Sequence, residues 1–194
     1  MTLNKSDKAA QHFNEVEKRI SEQTSNQKLQ SAAQNFIQES HAAKYSYNFT
    51  WLGRPIIQYP EDILAVQEII WKCKPDIIIE TGVAHGGSLI LSASLLTLLD
   101  IKDGILPSES KSFVIGIDID VRDHNRVEIE NHFLSSKITL LEGSSIDESV
   151  VAQVKNLIWS GAKVMVFLDS NHSHEHVLRE LEIYSKFVSQ DSYL

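Results

Sequence analysis

With only one cysteine, Cys73, the sequence can form no intrachain disulfide and offers no cysteine-based zinc site. Long apolar runs are missing too. The longest, Leu89 to Leu99, is interrupted by Ser92, Ser94 and Thr97 and is too short to span a bilayer. The opening residues, Met1 to Lys8, carry no apolar segment of the secretory kind, which makes the cytoplasm the expected compartment. Positive charge is scarce: 18 Lys and Arg stand against 26 Asp and Glu, and the net charge of −8 opposes non-specific binding to a phosphate backbone. Nucleic acid is therefore not an expected partner. Internal repeats and low-complexity tracts are also absent.

What is present suits one domain with an appendage: 194 residues, 42% of them hydrophobic, can bury an ordinary core. Residues 1–40 are polar, yet Ala9, Phe13, Val16 and Ile20 recur at helical spacing, and Leu29, Ala33, Phe36 and Ile37 resume the stripe after a break at Ser21 to Gln27. This predicts a helical N-terminal extension serving packing or self-association, as in a homo-oligomer, followed by a domain over 41–194. Tyr45, Tyr47, Phe49 and Trp51 alternate with smaller or polar residues and predict an extended segment with an aromatic face, either core, interface or substrate-facing lid. Pro60-Glu-Asp starts a helix that carries Ile63, Leu64, Val66, Ile69 and Ile70 toward the core and ends near Lys74-Pro75.

From residue 76 onward the pattern alternates. Strands over 76–80, 112–118, 137–142 and 163–169 are separated by helices over 87–99, 124–134 and 147–159, and a helix over 173–188 follows. This is the signature of a Rossmann-like, doubly wound parallel sheet with helices on both faces. Such sheets bind ligands outside the carboxyl ends of their strands, where Glu80, Asp118, the Glu142-Gly-Ser144-Ser145 turn and Asp169 fall. Asp191-Ser-Tyr-Leu194 stands where a further strand should begin, so the domain is expected to be C-terminally incomplete.

The richest stretch is Asp76-Ile-Ile-Ile-Glu80-Thr-Gly82-Val-Ala84-His-Gly86-Gly87-Ser88. A β-branched run ends in a carboxylate and a turn almost free of side chains, and a helix then opens with its free amides facing any ligand there. A side chain added at Gly86 is expected to enter ligand space. Gly82-x-Ala84-x-x-Gly87 is one substitution from the dinucleotide fingerprint, but the acid two residues before Gly82 is common in S-adenosylmethionine-dependent methyltransferases. Asp118, ending the next strand, is positioned for ribose hydroxyls in either case.

A second cluster, Asp169-Ser-Asn-His172-Ser-His174-Glu-His176, leaves three readings open. The histidines are solvated or capping residues, or one is catalytic, or several hold a metal, for which His172 and His176 have helix-face spacing. His172 is nearest to Asp169 and is the candidate of choice.

Several ordered matches resemble the cephalosporin hydroxylase family over about residues 45–194: Trp51-Leu-Gly-Arg-Pro-Ile-Ile-Gln58, Pro60-Glu-Asp62, Glu80-Thr-Gly82, Gly86-Gly-Ser88, Gly116-Ile-Asp118-Ile-Asp120, His124-Asn-Arg126, Leu168-Asp169-Ser-Asn-His172 and Glu180-Leu-Glu-Ile-Tyr184. That family has a methyltransferase fold, binds S-adenosylmethionine and includes rhamnosyl O-methyltransferases. The resemblance implies a cofactor loop at Glu80, Gly82, Ala84 and Gly86 to Ser88, a ribose acid at Asp118, and adenine near Ser144 and Ser145. It also implies a Mg²⁺ ligand at Asp169, with the family's remaining acids lying beyond residue 194. Mg²⁺ is accordingly expected to bind weakly or not at all to the chain as it stands.

The implied function is a Mg²⁺-assisted, S-adenosylmethionine-dependent O-methyltransferase acting on a sugar or small-molecule hydroxyl in polysaccharide, glycolipid or secondary-metabolite biosynthesis. Asp169 would bind and activate the hydroxyl through the metal and His172 would take its proton. The competing readings are an NAD-dependent oxidoreductase, disfavoured because the spacing to Asp118 exceeds the usual ~20 residues, an iron-dependent hydroxylase using the histidines, and a non-catalytic cofactor-binding domain.

Overall fold

The computed structural model describes residues 5–194, which fall into two compact units meeting in sequence at Tyr45 and Ser46. The first unit holds helices α1 (Lys5–Gln23) and α2 (Gln27–Ala42). The break between them is shorter than the Ser21 to Gln27 stretch predicted, because Asn26 caps α2 by accepting the Leu29 N–H at 3.1 Å. The expected stripe is there, but Phe13, Ile20, Leu29, Phe36 and Ile37 are all exposed. Ala9 lies among residues whose side chains are outside the described set.

In the second unit, β1 (Phe49–Trp51) and β2 (Arg54–Ile56) form a hairpin turned by Leu52 and Gly53, both at positive φ. Helix α3 (Pro60–Cys73) follows, then β3 (Ile77–Thr81), α4 (Gly87–Lys102), β4 (Phe113–Asp118), α5 (Asp123–Glu130), β5 (Ile138–Glu142), α6 (Glu148–Leu157), β6 (Val164–Leu168) and α7 (His174–Tyr184). The predicted alternation is thus realised in order. Two local expectations differ. Tyr45–Asn48 forms a turn of 3₁₀ helix, so Tyr45 and Tyr47 do not share a strand face with Phe49 and Trp51. Leu64 on α3 is 60% exposed, while Ile70 is fully buried.

The four parallel strands run in the order β5-β4-β3-β6. The chain steps outward from β3 to β5 and then returns to the other side of β3 to lay down β6, which puts the switch point between β3 and β6. Alternation along β3 divides the core. Ile78 packs with Ile70, Cys73 and the apolar side of α4, whereas Ile77 and Ile79 face α6 and the buried Tyr184 of α7. Helix α4 is buried on nearly every side, which explains why Leu89 to Leu99 lacks a polar stripe.

At the amino edge of the sheet, Lys137 Nζ donates to Asp100 Oδ2 at 2.6 Å and to Ser110 Oγ, Ser112 Oγ and the Ser112 carbonyl at 2.7, 2.7 and 3.0 Å. Burial opposes ionisation of Asp100, but the bonds from Lys137, Ser110 and Ser112 outweigh it and hold the carboxyl below its ordinary range. Lys137→Met leaves that carboxylate without its cation and is expected to cost about 3 kcal/mol, read as a lower midpoint in denaturant. The stability that Asp100 confers is present above its ordinary pKa of about 4 and lost as pH falls through the lower folded value. The variant should therefore lose less stability than wild type on acidification.

Candidate functional site

Beyond the carboxyl ends of the strands lies a cavity of about 500 Å³ bordered by Gly82, Ala84, Asp118, Ser144, Asp169 and His176, among others. Its floor is the loop from β3 to α4. Gly82, Ala84 and Gly86 have φ of 90°, 45° and 80°, so the loop crosses the left-handed region three times. Ala84 is the one residue of the three with a Cβ, at the place where the near-miss fingerprint departs from glycine.

The glycines are required by the protein itself. A Cβ on Gly82 would run into the Asp169 carbonyl, one on Gly87 would meet the Pro55 carbonyl and come within 2.7 Å of Ile56 Cα, and one on Gly86 would come within 2.6 Å of Ile129 Cγ1. Gly86 does not border the cavity, and its amide is spent on the Val83 carbonyl at 2.7 Å. The expectation that a Gly86 side chain would occupy ligand space is therefore corrected: it would collide with α5.

Two residues given no role from sequence hold this loop. Arg54 donates from Nε and Nη2 to the His85 carbonyl at 3.1 and 2.7 Å and from Nη2 to Asn125 Oδ1 at 3.1 Å, while Asn125 Nδ2 donates to the Ala84 carbonyl at 2.9 Å. Both are buried. Their positions in Gly-Arg-Pro and His-Asn-Arg were legible only as parts of matched motifs. Asp118 completes the hold: Oδ2 accepts the Val83 and Ala84 N–H groups at 2.8 and 3.3 Å, and Oδ1 accepts the Asp120 N–H at 3.2 Å. It borders the cavity, with part of its acceptor capacity committed to the loop.

Glu80 points elsewhere. Alternation places it on the same face of β3 as Ile78, under α4, where it is 3% exposed and accepts the Ser88 hydroxyl. It borders an adjoining cavity of about 360 Å³, which shares Gln58, Ser88 and Asp169 with the first. Burial pushes the Glu80 carboxyl up to about 8, with the Ser88 bond pulling down and Asp169 adding to the rise. Gln58 Oε1 is buried without a hydrogen-bond partner although its residue borders both cavities. Together with the first-turn amides of α4, it fits a ligand carrying hydrogen-bond donors and acceptors.

Across the switch point, Asp169 and His172 lie 3.5 Å apart, Oδ1 to Nε2, with 59% and 79% of their side-chain surfaces exposed. Partial burial raises the Asp169 carboxyl against the opposing pull of His172. The three histidines do not converge. His172 precedes α7 and so shares no helix face with His176, His174 is exposed, and His176 turns to Glu180 at 3.4 Å. Among the described residues no group of three His, Cys, Asp or Glu side chains is placed to hold a metal. The donor set therefore does not fit Mg²⁺ by itself.

Ser145 is buried, and its hydroxyl donates to Glu180 at 2.6 Å, so it is not free to donate to a ligand; Ser144 borders the cavity. Sequence reasoning missed Glu180 and Tyr184, whose OH donates to the Ser145 carbonyl at 2.7 Å. The signal was the four-residue spacing of His176, Glu180 and Tyr184, which sets all three on one face of α7.

A doubly wound parallel sheet with a glycine loop, a helix N-terminus and strand-end acids around one crevice defines a Rossmann-like α/β domain. More particularly, the chain belongs to the Rhamnosyl O-methyltransferase/CmcI family, whose model matches residues 43–194. The rhamnosyl O-methyltransferase of Mycobacterium tuberculosis H37Rv is 26% identical over 176 residues, covering 84% of this chain and 66% of that protein. That of Mycobacterium leprae is 25% identical over 166 residues, with 81% and 66% covered. The chain thus spans just under two thirds of the length of these relatives. Among solved structures, CmcI with SAH matches at 18% identity and a TM-score of 0.51, covering 75% of this chain and 64% of that one. The apo form of a TDP-rhamnose 3'-O-methyltransferase of calicheamicin biosynthesis matches at 16% identity and 0.51, covering 68% and 59%. These likenesses show a shared methyltransferase-type fold.

Two outcomes are expected from this geometry. Gly86→Val should destabilise the fold by about 2 kcal/mol or more, read as a lower unfolding midpoint, since it adds overpacking to a left-handed backbone; unchanged stability with lost ligand binding would restore the ligand-space view. Glu80 holds a proton in the folded state that the unfolded chain releases near pH 4. Wild-type stability should therefore fall as pH rises from about 4 through about 8. Glu80→Gln should flatten that fall, as followed by thermal melts across pH.

Proposed function

We propose that this chain is the S-adenosylmethionine-binding part of an O-methyltransferase whose acceptor is a hydroxyl on a sugar or related small molecule. The observation that carries the reading is the single crevice in which the β3–α4 loop, the α4 N-terminus and Asp118 face Asp169 and His172 across the switch point. When bound, S-adenosylmethionine supplies an electrophilic methyl group on a sulfonium. Asp118 has lone pairs left for ribose hydroxyls, the α4 amides suit a carboxylate, and Ser144 with His176 borders the end assigned to adenine.

Asp169 would hold the acceptor hydroxyl, whose oxygen would take the methyl group while the sulfonium sulfur would keep the bonding pair, and His172 would take the hydroxyl proton. Asp169, 3.5 Å from His172, favours the imidazolium that results. Among the described residues no set of three ligating side chains is gathered for Mg²⁺, and the roles above fall to Asp169 and His172. A sugar acceptor accords with the rhamnosyl O-methyltransferases among its relatives.

Calorimetry with S-adenosylhomocysteine and NAD tests the reading: the first should bind and the second should not. In the full protein, His172→Ala should slow methyl transfer about 100-fold with little change in S-adenosylhomocysteine affinity. Binding of NAD alone would overturn the assignment.

A further inference from the structure

Glu180 of α7 is 1% exposed, and its Oε1 receives hydroxyl protons from two loops. Ser145, after β5, donates at 2.6 Å, and Ser170, after β6, donates at 2.7 Å. A serine has one proton to give, and both are given to Glu180. The same oxygens lie 3.0 and 3.2 Å from His176 Nε2, and Glu180 Oε1 lies 3.4 Å from it. Every partner around Nε2 is thus an acceptor, so the tautomer that satisfies them carries its proton on Nε2 and its lone pair on Nδ1. Among the described residues no group bonds Nδ1, while His176 borders the 500 Å³ cavity beside Ser144 and Ser145.

We propose that His176 is a specificity residue whose Nδ1 accepts a hydrogen bond from the exocyclic amino group of the cofactor's adenine, and that Glu180 is the positioning residue that fixes the ring for this task. The inference rests on the methyltransferase reading above. A base with a keto oxygen in place of the amino group would meet Nδ1 lone pair to lone pair. It would lose the bond and leave a desolvated acceptor unpaired. Ser145 cannot do this work, since its proton is committed to Glu180.

The test compares S-adenosylhomocysteine with its deaminated analogue S-inosylhomocysteine by calorimetry. Wild type should prefer the adenine compound by about tenfold or more. His176→Ala should bring the two affinities within about threefold of each other, with the melting temperature reported beside them. A second measurement needs no variant: ¹⁵N NMR of the histidine rings should find the proton of His176 on Nε2, and its Nδ1 resonance should move when S-adenosylhomocysteine is added. Retention of the full preference in a folded His176→Ala, or a proton on Nδ1, overturns the inference and leaves the methyltransferase reading standing. Failure of wild type to bind S-adenosylhomocysteine at all defeats both.

Discussion

Past the sheet edge, the backbones leaving β3 and β6 close on each other. Asp169 donates its N–H to the Thr81 carbonyl at 2.9 Å, and its own carbonyl lies where a Cβ of residue 82 would be. Only glycine permits that approach, and Gly82 takes it at φ 90° while donating its N–H to the Ile117 carbonyl on the other side. This contact brings Asp169, and with it His172, to the rim of the glycine loop.

The loop so placed is held by its own polar groups. Its carbonyls at Ala84 and His85 are taken by Asn125 and Arg54, and its amides at Val83 and Ala84 by Asp118. Such satisfaction allows an irregular segment to be partly buried without a large penalty. It also fixes the Cα path before any ligand arrives, which reduces the ordering cost of binding.

Two buried glutamates near the crevice show different solutions to one problem. Among the described residues Glu80 has a single donor, Ser88, and burial pushes its carboxyl up to about 8, which keeps its proton on at neutral pH. Glu180 is equally buried but gathers Ser145, Ser170 and His176 around one oxygen. Burial and nearby Glu180 together push the Tyr184 phenol well above its ordinary range, which keeps it a donor to the Ser145 carbonyl. The difference lies in how many donors the neighbouring elements bring, since a carboxylate out of water is tolerated only when paired.

The sequence by itself determined the element order from Pro60 to Tyr184, because the period of its apolar residues and its turn chemistry are local properties. It also determined that Glu80, Asp118 and Asp169 end strands, since a parallel sheet sets all strand ends on one edge. Short-range alternation misled at Tyr45 and Tyr47, where a 3₁₀ turn took the place of an extended run, and glycine content misled at Gly86, where the crowding atom belongs to Ile129, 43 residues away. Only the tertiary structure decided that Glu80 turns under α4 and that His176 joins Glu180 and two loop serines. The physical reason is that a strand or helix fixes the direction of a side chain, but the partner it meets there is supplied by segments tens of residues distant.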